Sequence, residues 1–76
     1  MKNTAQKTTI QNAIAANLAA LSQRLTEAAE QARQASEAME KGEQNQAIGT
    51  VIDFDRTLPE AHALFNAAMV LHRGSR

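Results

Sequence analysis

Residues 3–41 read NTAQKTTIQNAIAANLAALSQRLTEAAEQARQASEAMEK, a stretch with neither Gly nor Pro, rich in Ala, Gln, Glu and Leu. These are strong helix formers, so the segment predicts one long helix, or two nearly continuous ones, over about residues 4–41. Within it Ile14, Leu18, Leu21, Leu25, Ala28, Ala32, Ala35 and Met39 recur at alternating four- and three-residue steps, an uninterrupted heptad seam. The seam changes character halfway. Large Ile and Leu residues come first, then Ala, which lets a facing helix backbone approach closely. A helix of some 36 residues is about 54 Å long, against roughly 30 Å across a compact domain of this size. It must bend, project, or find a second chain.

Outward from that stretch, Gly42 supplies a stop just after Lys41. A second helix is expected over 44–56, carrying Ala47, Ile48, Val51 and Ile52. Thr57-Leu58-Pro59-Glu60 reads as the start of a third, because Pro59 disfavours helical backbone at Leu58 and itself suits a first helical turn. That helix is expected over 59–73, ended by Gly74, with Ala61, Leu64, Phe65, Ala68, Met69 and Leu71 as its apolar stripe. No stretch sustains the period-two alternation of a half-buried strand. The expectation is a single all-α domain over 1–76, a long N-terminal helix plus two shorter ones forming a helical hairpin or bundle completed by oligomerisation. The short helices would pack on Ala28 to Met39 and leave Ile10, Ile14, Leu18 and Leu21 without cover in their own chain. A fold-back at Asn17 or Ser22, giving a monomeric four-helix bundle, is the alternative.

Composition narrows the function. The chain has 76 residues, eight basic and eight acidic side chains, and no Cys, Trp or Tyr. A domain this small buries only roughly 60% of its unfolded surface and gains from a partner. Without Cys there is no disulfide and no thiolate metal site, which fits a reducing compartment and a cytoplasmic location. Zero net charge argues against a general binder of nucleic acid or membrane surface, since both require an excess of Lys and Arg. No apolar run approaches the roughly 18 residues of a spanning helix. The charges are nonetheless unevenly placed. Lys2, Lys7 and Arg24 are unopposed in the first 26 residues, whereas all eight acids lie between Glu27 and Glu60 beside Arg33, Lys41 and Arg56. Such asymmetry favours antiparallel self-association.

Two stretches resemble known families. With Gly42, Ala47 and Pro59 at their observed spacing, residues 28–72 resemble a tetratricopeptide-type helical hairpin followed by the first helix of another; Gln31, Gln34 and Ala38 depart from that family's large first-helix residues. The resemblance implies binding of a peptide or partner helix on a concave face. Val51-Ile52-Asp53-Phe54-Asp55-Arg56-Thr57-Leu58 resembles the nucleophile motif of haloacid dehalogenase phosphatases. It would make Asp53 the nucleophile, Asp55 the general acid/base and Thr57 a phosphate contact, on a strand of a parallel sheet with a Mg²⁺ ion held by further acids. Only Glu60 among acids, and no Lys, follows Leu58.

Other chemistry has little to stand on. His62 and His72 are ten residues apart, on helix faces about 80° apart, which is not the spacing of a zinc pair. Ser22, Ser36 and Ser75 have no His and acid pattern nearby. No catalytic group, metal or cofactor is expected. A helix pair over 44–73 offering Arg56, His62, Arg73 and Arg76 would serve a small DNA-binding regulator, but the third helix spends its apolar residues on packing. The residues point instead to a non-enzymatic interaction module, a small chaperone, adaptor or regulator covering an apolar helix of another protein or of a second copy. Its expected binding surface is Ile10, Ile14, Leu18, Leu21 and Leu25, with Phe65 and Met69 beside them.

Overall fold

The computed structural model describes residues 2–74, with side chains from Thr9 onward. It contains three helices and, among the described residues, no strand: α1 (Lys2–Glu40), α2 (Gln44–Val51) and α3 (Phe54–Gly74). Helix α1 is unbroken through Asn17 and Ser22, as a segment without Gly or Pro dictates. Its outer surface is laced at Arg33, which donates from Nε to Glu30 at 3.0 Å and from a terminal nitrogen at 2.6 Å, and also pairs with Glu37. Such three- and four-residue pairs reinforce a helix locally.

The long helix ends where Gly42 predicts. Gly42 has φ +78, the left-handed conformation that costs a residue without Cβ nothing. The amide of Glu43 donates to the Ala38 carbonyl at 2.8 Å and that of Gly42 to the Met39 carbonyl at 2.9 Å. This pair of bonds is the Schellman motif, which satisfies the last carbonyls of α1 while reversing the chain.

Helices α2 and α3 then run back along α1 as one limb, bent at Ile52 and Asp53. Ile52 keeps right-handed helical angles, φ −61 and ψ −29, and the amides of Arg56 and Thr57 both donate to the Asp53 carbonyl at 2.9 Å. The second helix is therefore shorter than the expected 44–56, and the third begins at Phe54 rather than Pro59. Pro59 lies inside α3. A proline biases its predecessor away from helix but does not forbid it; near a helix start the lost N–H bond is tolerated where packing on α1 holds the limb. Gly49 and Pro59, both disfavoured in helix interiors, bracket the bend.

One consequence corrects the expected packing. A return limb that is not interrupted at Pro59 reaches back past the Ala-lined half of α1, so Ile10, Ile14 and Leu21 are half-buried instead of lacking cover. The Arg24–Glu60 ion pair, 3.6 Å between charged atoms, fixes the register: each step along α1 is matched by one back along α3. The molecule is a long helical hairpin one layer thick, 61 × 15 × 13 Å between Cα atoms, with a radius of gyration of 17.5 Å. A compact chain of this length would have about 11 Å.

The interior of the hairpin is made of alanine. Among the described residues, Ala28, Ala38, Ala47, Ala61 and Ala68 are the buried apolar ones, and no large side chain is fully buried. Two helices alone cannot enclose a Leu or Phe, because each side chain can be covered from one side only. Alanine at the contact line lets the backbones approach and leaves larger residues to flank it.

Candidate functional site: an apolar face of the hairpin

The inside of α1 is not the whole predicted seam. Ile14, Leu21, Ala28 and Ala35 turn toward the return limb, together with Ala13, Asn17, Ala20, Gln31 and Ala38. Asn17 spends its amide on its own helix, donating to the Ala13 carbonyl at 2.8 Å. The alternate seam positions, Leu18, Leu25, Ala32 and Met39, are exposed; Leu18 is 47% and Leu25 48% accessible.

Helical geometry places these exposed residues on one side. Arg24 and Glu60 lie to one side of the contact line, where Asn17, Ala63 and Ala67 line a shallow hollow with them. Nearer the turn, Gln34, Glu37, Lys41, Glu43 and Gln46 line a second, polar hollow. At about 100° per residue, Leu18 and Leu25 fall on the opposite side of α1. Since α3 runs antiparallel, Leu58 and Phe65 fall on that same side of the hairpin. The register set by Arg24 and Glu60 brings Leu25 level with Leu58 and Leu18 level with Phe65, two cross-hairpin pairs one heptad apart. Past the bend, Ile48 on α2 and Met39 on α1 continue the face.

The hairpin thus has one polar and one apolar broad side. Of the large hydrophobic residues exposed among those described, Leu18, Leu25, Met39, Ile48, Leu58 and Phe65 share the apolar side; Ile52 sits at the bend and Val70 elsewhere. Leu18, Leu21, Ser22, Leu25, Thr26 and Ala29 line a hollow along its α1 edge. On α1 the positions that fill the face between these residues are Gln11, Ser22, Ala29, Ala32 and Ser36, without formal charge; on α3 the exposed Asp55, one heptad before His62, adds one acid between Ile48 and Leu58. At its α3 edge the His62 ring lies 6.2 Å from that of Phe65, tilted, and 3.2 Å from the Asn66 amide nitrogen.

The residues expected to bind a partner are therefore divided. Leu18, Leu25 and Phe65 are exposed on the face, Leu21 and Met69 border it half-buried, and Ile10 and Ile14 face the return limb. Met39, Ile48 and Leu58 were absent from that expectation. Their signal was available for Leu58, one heptad before Phe65, as Leu18 is one heptad before Leu25.

The other candidates are not assembled. Asp53 stands at the bend and Asp55 in the first turn of α3, whereas the phosphatase resemblance requires a strand end. Among the described residues no three His, Cys, Asp or Glu side chains are grouped to hold a metal ion. Instead of crossing as a separate pair, α2 and α3 run on as one bent limb. Arg56, His62 and Arg73 are exposed on it, and Arg76 and Ser75 lie outside the described residues. The perturbed charges among the described residues are the paired Glu30 and Arg33: the Glu30 pKa is lowered from an ordinary 4.5 to about 2 by hydrogen bonds from Arg33 and then Gln34, and that of Arg33 is raised by its bond to Glu30. Glu30 lies away from the apolar face, on the outer surface of α1. No described helix is long and apolar enough to cross a membrane.

Comparison with known proteins finds no match to this chain among family models, curated proteins or solved structures.

Proposed function

We propose that this protein is a non-enzymatic interaction module whose work is to cover, and be covered by, another helical apolar surface. The observation that carries the reading is the apolar side of the hairpin, opposite a polar side, in a molecule whose buried residues, among those described, are all alanine. Exposed apolar surface of this extent marks an interaction site in a small protein. Its large residues, Phe65 among them, are of the type that supplies most of an interface's energy. A helix or helical hairpin of a partner fits a face this long and narrow, reading side chains at heptad spacing. In a cell the role would be that of a small cytoplasmic chaperone, adaptor or regulator that sequesters another chain.

The test is a triple variant, Leu18→Ser with Leu25→Ser and Phe65→Ser. The reading expects it to keep the far-ultraviolet circular dichroism of α1 while losing the binding of an apolar dye such as anilinonaphthalene sulfonate, or the self-association, that the wild-type chain shows. A wild-type chain that neither binds the dye nor associates with anything would remove the proposal.

A further inference from the structure

We infer that His62 makes the apolar face a pH-gated binding surface, taken up while its imidazole is neutral and released when the ring is protonated. The inference rests on the reading of that face as a binding surface and adds its regulation. Three features of the ring support it: where it stands, the proton it carries and what surrounds it.

His62 is exposed on α3, between Leu58 and Phe65, with its ring centre 6.2 Å from that of Phe65. Across the hairpin the register brings it level with the hollow of Leu18, Leu21, Ser22, Leu25, Thr26 and Ala29. An apolar surface that covers Leu18 and Phe65 therefore takes His62 out of water with them. The proton is placed by a neighbour. The Asn66 amide nitrogen, 3.2 Å from Nε2 of the ring, can only donate, so Nε2 accepts and the imidazole is neutral with its hydrogen on Nδ1. A proton added at Nε2 breaks this bond unless the Asn66 amide turns over.

A covered imidazolium is tolerated where an anion stands beside it, and here none does. The six residues opposite on α1 do not ionise, and Arg24 and Glu60 are paired on the other broad side. On α3 itself Asp55 precedes His62 by seven residues, about 10.5 Å along the helix, beyond the screening length of about 8 Å at physiological ionic strength. The basic Arg56, His72 and Arg73 are six, ten and eleven residues away and oppose a further positive charge. Imidazole as a class changes charge near pH 6.5, and covering it disfavours the cation. The complex then holds fewer protons than the free chain, so affinity is full above that pH and falls as pH drops through it. One such proton weakens binding about tenfold between about pH 7.5 and 5.5.

The experiment titrates Nile red, an apolar dye without charge in this range, into the full chain from about pH 7.5 down to about 5.5. Far-ultraviolet circular dichroism at each pH confirms that the helices persist. The wild-type dissociation constant should rise about tenfold. His62→Gln, a change at an exposed position, should remove most of that rise, while His72→Gln should keep it. By NMR the His62 ring protons should titrate at lower pH with the dye bound than without it, a shift that a general loosening of the fold in acid would not produce. Binding that does not weaken in acid, a rise that survives in His62→Gln, or a His62 titration that the dye leaves in place would overturn the gate and leave the face standing. A dye that binds at no pH removes the face, and the gate with it.

Discussion

Replacing Ala61 by Leu tests whether the hairpin is closed by close backbone approach. Ala61 is 5% accessible on the side of α3 that meets α1, near the level of Arg24. Leucine adds three carbons there. With room for them, burial would stabilise the fold by about 0.8 kcal/mol per carbon, roughly 2.4 kcal/mol in all. In a contact already closed by alanine the added carbons instead push the limb away from α1, and overpacking of this kind costs about 1–3 kcal/mol. The two cases differ in sign. For a chain of 60–100 residues about 2 kcal/mol shifts Tm by about 8–16 °C, so Ala61→Leu should melt well below wild type by circular dichroism at 222 nm. The protein concentration must be held constant because association would itself move Tm. Ala63→Leu, exposed on the polar side, is the control and should stay within about 0.5 kcal/mol of wild type. A rise in Tm for Ala61→Leu would refute the reasoning, since it would show a gap between the helices.

Four smaller predictions follow from local features. Gly42→Ala meets no atom within 4 Å at the new Cβ, so its whole effect is the left-handed backbone, a loss of about 1–2 kcal/mol by denaturant unfolding; an unchanged midpoint would contradict the turn. Pro59→Ala restores an N–H to the Asp55 carbonyl inside α3 and should raise both helicity and stability, by about 1–2 kcal/mol after the unfolded chain's gain in freedom is counted; a loss would mean the proline is needed to set the bend. The carboxyl of Glu30 has a lowered pKa when folded, so its stabilisation is fully present above its ordinary 4.5 and is lost as pH falls toward about 2; the Tm advantage of wild type over Glu30→Gln should fade across that window, and an advantage that persists at pH 2 would exclude the Arg33 pairing as its cause. The Arg24–Glu60 pair has both side chains nearly half exposed at 3.6 Å, and a double-mutant cycle should give a coupling below about 1 kcal/mol; a larger value would mean a tighter contact.

The sequence made the length of α1 and its stop at Gly42 legible, because composition and a single glycine act locally. Which seam positions face inward was not legible in the same way. Hydrophobicity ranks Leu18 and Leu25 above Asn17, Arg24 and Gln31, yet the latter lie nearer the return limb. Two helices with no third layer reward close approach more than bulk, so alanine takes the contact line and leucine is displaced to the flank. Pro59 misled for a related reason. Its local preference for a helix start is worth less than the continuous packing of the return limb on α1, and tertiary contact prevailed. The apolar face was partly readable, since Leu18, Leu25 and Phe65 were singled out. Its full extent needed the antiparallel register, which no periodicity within one helix contains.

The turn at Gly42 also sets an order of assembly in time. Contacts beside it, such as Ala38 with the start of α2, close a loop of only a few residues, whereas those that bring Ile10 and Ile14 level with the end of α3 span most of the chain. Loop-closure entropy favours the short ones first, so the two limbs should zip from Gly42 toward the open end. A ribosome delivers α1 whole before any of its partner limb exists, leaving Ile10, Ile14 and Leu21 waiting longest for cover. Ala38→Gly should accordingly slow refolding, while Ala68→Gly mainly hastens unfolding, a contrast that stopped-flow measurements can resolve.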